Sequence, residues 1–315
     1  MPGAEVNHRT YTDFDDLVES IRGWSLELTK LDAGPFSGEL AQVVSEDFIL
    51  LRGRFHSQLR QKGHPPPGFR TLALSPRPDL RMLWRHQQIS GDDMMVFPGG
   101  GELDCLTHHD FDVFTISFRE DALQAAAEAA SMPTAARRIL DSGEVIRFES
   151  RALNRLRAHL VRGLNDLVGG RGDQVGLKDR VLGEILELAA AFHPAPEPPG
   201  LQSRHLALIR EAESYIWSHL DRPVKVISLA SVLGESLKKL EYVFRDHLGV
   251  GPKAYINSIR LNAVHRSLKG ARPGSLRVAD AANAFGFWHM GQFAADYRKL
   301  FGENPSATLA ATIIL

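Results

Sequence analysis

The sequence holds one cysteine, Cys105, in 315 residues. No intrachain disulfide can form, and a reducing, cytoplasmic setting is expected. Long apolar runs are also missing. The best candidate, Ala310-Ala311-Thr312-Ile313-Ile314-Leu315, falls far short of the roughly 18–20 residues a membrane helix needs, so no membrane association is expected. The N-terminus, Met1-Pro2-Gly3-Ala4-Glu5, has no basic segment leading into an apolar core, and no secretory leader is expected. No His-x-His pair occurs. His108 and His109 are adjacent, so on a strand they would point to opposite faces, and they read better as turn residues. Pro98-Gly99-Gly100-Gly101 lacks the Lys-Ser/Thr of a phosphate loop and also reads as a turn. Cys105 lies between Asp104 and Leu106 in a strand-like pattern and reads as a buried, inert thiol. No catalytic residue, metal or cofactor is therefore expected.

What is present is divided unevenly. The formal net charge is −1. From Leu201 onward there are 15 Lys and Arg against 9 Asp and Glu, a balance of +6. Residues 1–200 hold 22 against 29, a balance of −7. A basic part on an acidic one suggests that only the former meets a polyanion.

The hydrophobic pattern changes along the chain. Residues 1–22 read as helical, with Thr12 or Asp13 as cap and Phe14, Leu17, Val18 and Ile21 on one face. Strand-like segments follow at Leu26–Leu31, Glu39–Val44, Phe48–Phe55, Phe69–Leu74, Leu80–Trp84, Met94–Phe97, Glu102–Leu106 and Asp112–Phe118. Turn signals such as Asp32-Ala33-Gly34-Pro35 and Gly63-His64-Pro65-Pro66-Pro67-Gly68 separate them. Short strands so closely spaced predict a β-sandwich or barrel. Helices are predicted at Ala122–Ala130, from Pro133, at Ser150–Val168 and at Leu177–Phe192. The Ser150–Val168 segment carries Leu153, Leu156, Leu160, Leu164 and Leu167 on one face. That seam suits either a cover for the sheet or a contact with a second subunit. His193-Pro194-Ala195-Pro196-Glu197-Pro198-Pro199-Gly200 is a stiff linker. The expected division is 1–192, the 193–200 linker, and an all-helical 201–315.

One arrangement occurs twice in the basic part. Ala230 and Ala282 each precede a glycine by four residues, Gly234 and Gly286. A small residue lets two helices cross closely, and the glycine supplies the left-handed turn between them. Leu240 and Phe293 then anchor a second helix, whose other face is free to enter a DNA major groove.

The stretch from about 205 to 308 resembles the DNA-binding domain of the AraC/XylS family. Gly251-Pro252-Lys253-Ala254-Tyr255-Ile256-Asn257-Ser258-Ile259-Arg260-Leu261-Asn262-Ala263 is similar to its long linking helix. Gly286-Phe287-Trp288, Phe293 and Tyr297-Arg298-Lys299-Leu300-Phe301-Gly302-Glu303-Asn304-Pro305-Ser306 are similar to its second motif. The resemblance implies an all-α C-terminal domain with two helix-turn-helix motifs behind a cupin-like sensing and dimerisation domain, 1–192, of β-sandwich or barrel type. It also implies that both second helices meet successive major-groove segments. Outward candidates on the first are Ser236, Lys238, Lys239, Glu241, Tyr242 and Arg245. On the second they are His289, Met290, Gly291, Gln292 and Ala295, of which His289 and Gln292 suit base reading. Arg298 and Lys299 suit phosphates. The expected partners are double-stranded DNA, RNA polymerase, a second copy of the chain and a small effector of unknown identity. Phe55, Arg70, Arg81, Trp84 and Arg85 fall on or near neighbouring strands and would suit an anionic or ring-bearing effector. Two other readings stay open: a constitutive regulator whose β-domain only dimerises, and a cupin-type enzyme with a DNA-binding tail, against which the missing metal set argues.

Overall fold

The computed structural model describes residues 5–311 apart from 81, 85, 86, 98, 99, 108, 142–144, 149, 192–200 and 273. The chain forms two compact units. The first comprises Met1–Leu28, Ser37–Ser57 and Gln61–Glu197; the second comprises Thr29–Phe36, Gln58–Arg60 and Pro198–Leu315. The proline-rich linker at 193–200 lies outside the described residues.

The first unit opens with strand β1 (Glu5–Tyr11) and helix α1 (Phe14–Ser20). The helix begins where Asp13 Oδ1 accepts from the amides of Asp15 at 2.8 Å and Asp16 at 3.3 Å. The helix expected over 1–22 is thus confined to its second half. The first half pairs in antiparallel register with β3 (Gly38–Val44), Glu5 against Val44 through Tyr11 against Gly38. Strands β2 (Ser25–Lys30), β4 (Phe48–Phe55), β6 (Phe69–Leu74), β7 (Met82–Trp84), β9 (Asp93–Val96), β10 (Leu103–Leu106) and β11 (Phe111–Arg119) fall within a residue or two of expectation. β5 (Leu59–His64), β8 (Gln87–Ile89) and β12 (Val145–Arg147) were not anticipated.

The strands make a seven-stranded sheet, β1-β3-β4-β11-β6-β9-β12, and a five-stranded sheet, β2-β5-β10-β7-β8. Two open sheets, rather than a closed barrel, form among the described residues. The larger sheet is apolar on both faces, and strand alternation assigns each side chain. Phe48, Leu50, Leu72, Leu74, Phe114, Ile116 and Phe118 share one core cluster with the helices. The odd-numbered Ala73, Met95 and Val113 join a second cluster with Met82, Trp84, Leu103 and Cys105 of the smaller sheet.

Helices α2 (Glu120–Ala129), α3 (Pro133–Asp141), α4 (Ser150–Val168) and α5 (Gln174–Ala191) complete this unit. The α4 seam resolves an alternative left open by the sequence. Leu153, Leu156, Leu160, Leu164 and Leu167 are all buried in the core cluster with the sheet and α5. The seam is therefore occupied within one chain and is not free to pair with a second subunit.

The second unit is helical throughout its C-terminal part, as expected: α6 (Leu201–Trp217), α7 (Val226–Val232), α8 (Leu237–Leu248), α9 (Pro252–Lys269), α10 (Val278–Ala284), α11 (Met290–Phe301) and α12 (Pro305–Ala311). α9 is the central pillar, buried on most sides from Pro252 to Leu268. Three polar clusters fix it. Asn262 accepts from the Lys30 amide at 2.9 Å and donates to the Lys30 carbonyl at 2.8 Å, so its side chain pairs with a strand backbone. Glu213 on α6 joins Arg60 at 3.0 Å and takes a hydrogen bond from the Tyr255 hydroxyl. His265 Nδ1 lies 2.7 Å from the Tyr297 hydroxyl, which meets Thr308 at 2.8 Å.

Candidate nucleic-acid interface

Each repeat builds the same object. In the first, α7 is capped at Leu233, and Gly234 takes φ +64° before α8. In the second, α10 is capped at Phe285, and Gly286 takes φ +75° before α11. Both glycines occupy the left-handed region the sequence required of them. Gly286 has a second reason to be glycine. A Cβ there would lie 2.3 Å from the Arg260 guanidinium, whereas a Cβ on Gly234 would meet nothing within 4 Å. Arg260 projects from α9, donates to the Phe285 carbonyl at 2.7 Å and lies over the Phe287 ring at 4.5 Å. Ala230 and Ala282 are buried at the helix crossings, and Leu240 and Phe293 are buried anchors, as expected.

The two second helices correspond residue by residue. Both run for 12 residues and end at a left-handed glycine, Gly249 and Gly302. A proline three residues later, Pro252 or Pro305, starts the next helix in each case. The fourth, eighth and twelfth positions are buried in both: Leu240 with Phe293, Phe244 with Tyr297, Leu248 with Phe301. The outward positions then match as well. Ser236 corresponds to His289, Lys238 to Gly291, Lys239 to Gln292, Tyr242 to Ala295 and Arg245 to Arg298. Ser236 caps α8 by accepting from the Lys239 amide at 3.2 Å, whereas His289 makes no such bond with its side chain.

Lys238, Lys239, Tyr242, Arg245, His289, Gln292, Arg298 and Lys299 are exposed, and Glu241 is half-buried. Lys239 pairs with Glu235. Arg245 pairs with Glu241 at 2.8 Å, and Gln292 donates to Asp296 at 2.8 Å. Exposed pairs of this kind are worth about 0–1 kcal/mol, so these groups can be redirected to DNA at little cost. Among the described residues Lys238, Arg298 and Lys299 have no acidic partner. The sequence reading missed Trp288. Its neighbour Phe287 is held inward under Arg260, which leaves the indole 63 % exposed beside His289. An aromatic pair directly after the turn glycine was the available signal.

In the first unit, Phe55 and Trp84 line an apolar cavity between the two sheets. Arg70 does not reach it. Its guanidinium donates to the Phe97 carbonyl at 2.8 Å and to the Leu140 carbonyl, and Glu120 lies 3.4 Å away. Arg81 and Arg85 lie outside the described residues. Cys105 is buried, as expected, and lines the same cavity. His109 sits in an exposed turn, and His108 lies outside the described residues.

This geometry is that of a helix-turn-helix domain, and residues 229–311 match the helix-turn-helix domain family. The C-terminal region is similar to transcription regulators of the AraC/XylS kind. One is the probable thc operon regulatory protein of Rhodococcus erythropolis, 32% identical over 121 residues, covering 38% of this chain and 34% of that protein. Another is the XylDLEGF operon transcriptional activator of Pseudomonas putida, 34% identical over 95 residues, covering 30% of each. The solved structure of a probable AraC family transcriptional regulator from Rhodopseudomonas palustris is 35% identical, covering 34% of this chain and 98% of that one, with a TM-score of 0.31. The chain thus spans about a third of the length of these curated relatives. No helix among the described residues is long and apolar enough to cross a membrane.

Proposed function

We propose that this chain is a sequence-specific transcription regulator that lays α8 and α11 into successive major-groove segments of double-stranded DNA and responds to a small effector held in its first unit. The observation that carries the DNA-binding half is the position-by-position equivalence of the two 12-residue helices, with apolar anchors on one face and polar groups on the other. α8 supplies most base discrimination. Lys238 and Lys239 can donate to guanine, Glu241 can accept from cytosine, and Tyr242 adds a hydroxyl. The matching α11 positions are glycine, glutamine and alanine, so Gln292 with His289 reads less. Arg245 and Arg298 share the ninth helical position and, with Lys299, meet phosphates on either side.

The effector half rests on the apolar cavity and its ring-bearing walls. Among the described residues none lining it is His, Asp or Glu, which disfavours a metal-dependent cupin enzyme. A homodimer, if formed as in the family this domain resembles, needs a surface other than the α4 seam.

The test is selection of sites from a random duplex library by the full chain, followed by titration of alanine variants on matched and scrambled sites. Lys238→Ala or Glu241→Ala is expected to relax preference at particular bases. Arg298→Ala is expected to weaken specific and random DNA alike and to lower the salt slope by about one. Full retention of preference by the α8 variants, with loss in Gln292→Ala, would reverse the assignment of the two helices.

A further inference from the structure

The cavity of the first unit specifies more than the presence of a ligand. Its walls come from both sheets: Leu26 and Leu28 of β2, Trp84 of β7, Leu51 and Gly53 of β4, Phe111 and Val113 of β11. The cavity measures about 70 Å³, against roughly 10–15 Å³ for one water. A single six-membered ring with a short substituent fits that space. Trp24 and Trp84 both present edges to Phe97, at 5.5 and 5.6 Å between ring centres, and Phe55 stacks on Phe111 at 4.4 Å. These are walls for a flat, apolar guest.

Polar groups of Trp24, Gln61, Trp84 and Thr115 interrupt the apolar lining. The indole Nε1 of Trp24 and the amide Nε2 of Gln61 are shielded from solvent and have no hydrogen-bond partner. Both residues line the cavity, and Gln61 is 8 % exposed. An indole N–H can only donate, and so can an amide NH₂. A buried donor left unsatisfied is costly, so a guest that brings an acceptor removes a standing penalty. An anion is a poor guest nonetheless. Among the described residues no lysine or arginine lines the cavity, and Arg70 is committed to backbone carbonyls. Burying a carboxylate without a cation costs far more than two neutral donors return.

We propose that this cavity binds an uncharged, ring-bearing molecule with one hydrogen-bond acceptor, of the aryl ketone class, and that Trp24 and Gln61 hold the acceptor. The proposal deepens the effector reading above and rests on it only for the step from binding to DNA.

Calorimetry on the full chain with three probes of one size tests it: acetophenone, ethylbenzene and benzoate. Acetophenone is expected to bind best, ethylbenzene more weakly and benzoate not measurably. Trp24→Phe and Gln61→Leu are each expected to weaken acetophenone about 3- to 10-fold and to leave ethylbenzene unchanged. Gly53→Val fills the cavity, since a Cβ there meets only side-chain carbons of Leu51 and Phe111, at 3.9 Å. It is expected to abolish binding of both neutral probes in a protein whose circular dichroism matches the parent. Benzoate binding as tightly as acetophenone, no acetophenone binding at all, or acetophenone binding that Gly53→Val leaves intact would each overturn the proposal. If acetophenone binds as described but DNA affinity does not change, the ligand class stands and the effector reading falls. If DNA binding responds to another metabolite while Gly53→Val is silent, the effector reading stands and the cavity assignment falls.

Discussion

Replacing Arg60 by methionine is expected to loosen the second unit although Arg60 is far from its helices in sequence. Arg60 belongs to the short segment Gln58–Arg60 that is part of the second unit. Its guanidinium lies 3.0 Å from the Glu213 carboxylate, and the two side chains are 4 % and 3 % exposed. Tyr255 donates to the other carboxylate oxygen. In Arg60→Met the carboxylate keeps the Tyr255 hydroxyl and loses the Arg60 cation, while staying out of water. Removing one partner of a buried pair costs about 3–5 kcal/mol. At 1.4 kcal/mol per tenfold, opening of the α6–α9 region should rise by roughly two to three and a half powers of ten. A chain with two units does not unfold in one step, so hydrogen exchange of the α9 amides is the right assay. Arg60→Met should accelerate them, and adding Glu213→Gln should restore much of the protection. Unchanged α9 exchange in Arg60→Met would refute the reasoning. The same logic predicts that a fragment 201–315, which lacks both Arg60 and Lys30, is less protected on α9 than the full chain and recovers only in part with Glu213→Gln.

Other outcomes follow from the same contacts. Gly234→Ala should cost about 1–2 kcal/mol for its left-handed backbone, and Gly286→Ala distinctly more because the new methyl meets Arg260; thermal unfolding of the two variants compares them. Leu156→Glu or Leu160→Glu should yield unfolded protein rather than folded monomers, since both side chains are fully buried within the chain; sedimentation with circular dichroism separates these outcomes. Burial pushes the His247 imidazole below its usual pKa, with nearby Asp246 opposing and His205 adding to the shift. The unfolded chain then takes up the proton first, so stability is full above the ordinary histidine pKa near 6.5 and declines as pH falls below it. His247→Leu should flatten that part of the stability profile, and an unaltered slope would show that another group is responsible.

The two helix-turn-helix motifs were legible because their requirements are local: a small residue at a crossing, a glycine with positive φ, an apolar anchor. The one-residue difference in turn length, which places α11 one position later relative to its glycine than α8, was not legible until the anchors were matched. β1 was missed because Glu5–Tyr11 is polar and exposed on both faces, so backbone pairing with β3 holds it without any apolar alternation. β5 was missed because Arg60 and Gln61 are buried polar residues whose environment comes from distant parts of the chain. Arg70 alone of the expected effector residues that are described departs from the reading, for a related reason: it satisfies carbonyls instead of facing a cavity. The cavity itself was invisible, since its lining is the alternating apolar pattern of an ordinary sheet core.

The central claim is that two equivalent helices each enter a major groove on one face of a duplex. Methylation interference at guanine N7, on a site selected by the full chain, tests it most directly. The account predicts two interference patches about one helical turn, or roughly 10 base pairs, apart, with Lys239→Ala weakening one and Gln292→Ala the other. A single patch, or two that both survive these substitutions, would contradict it.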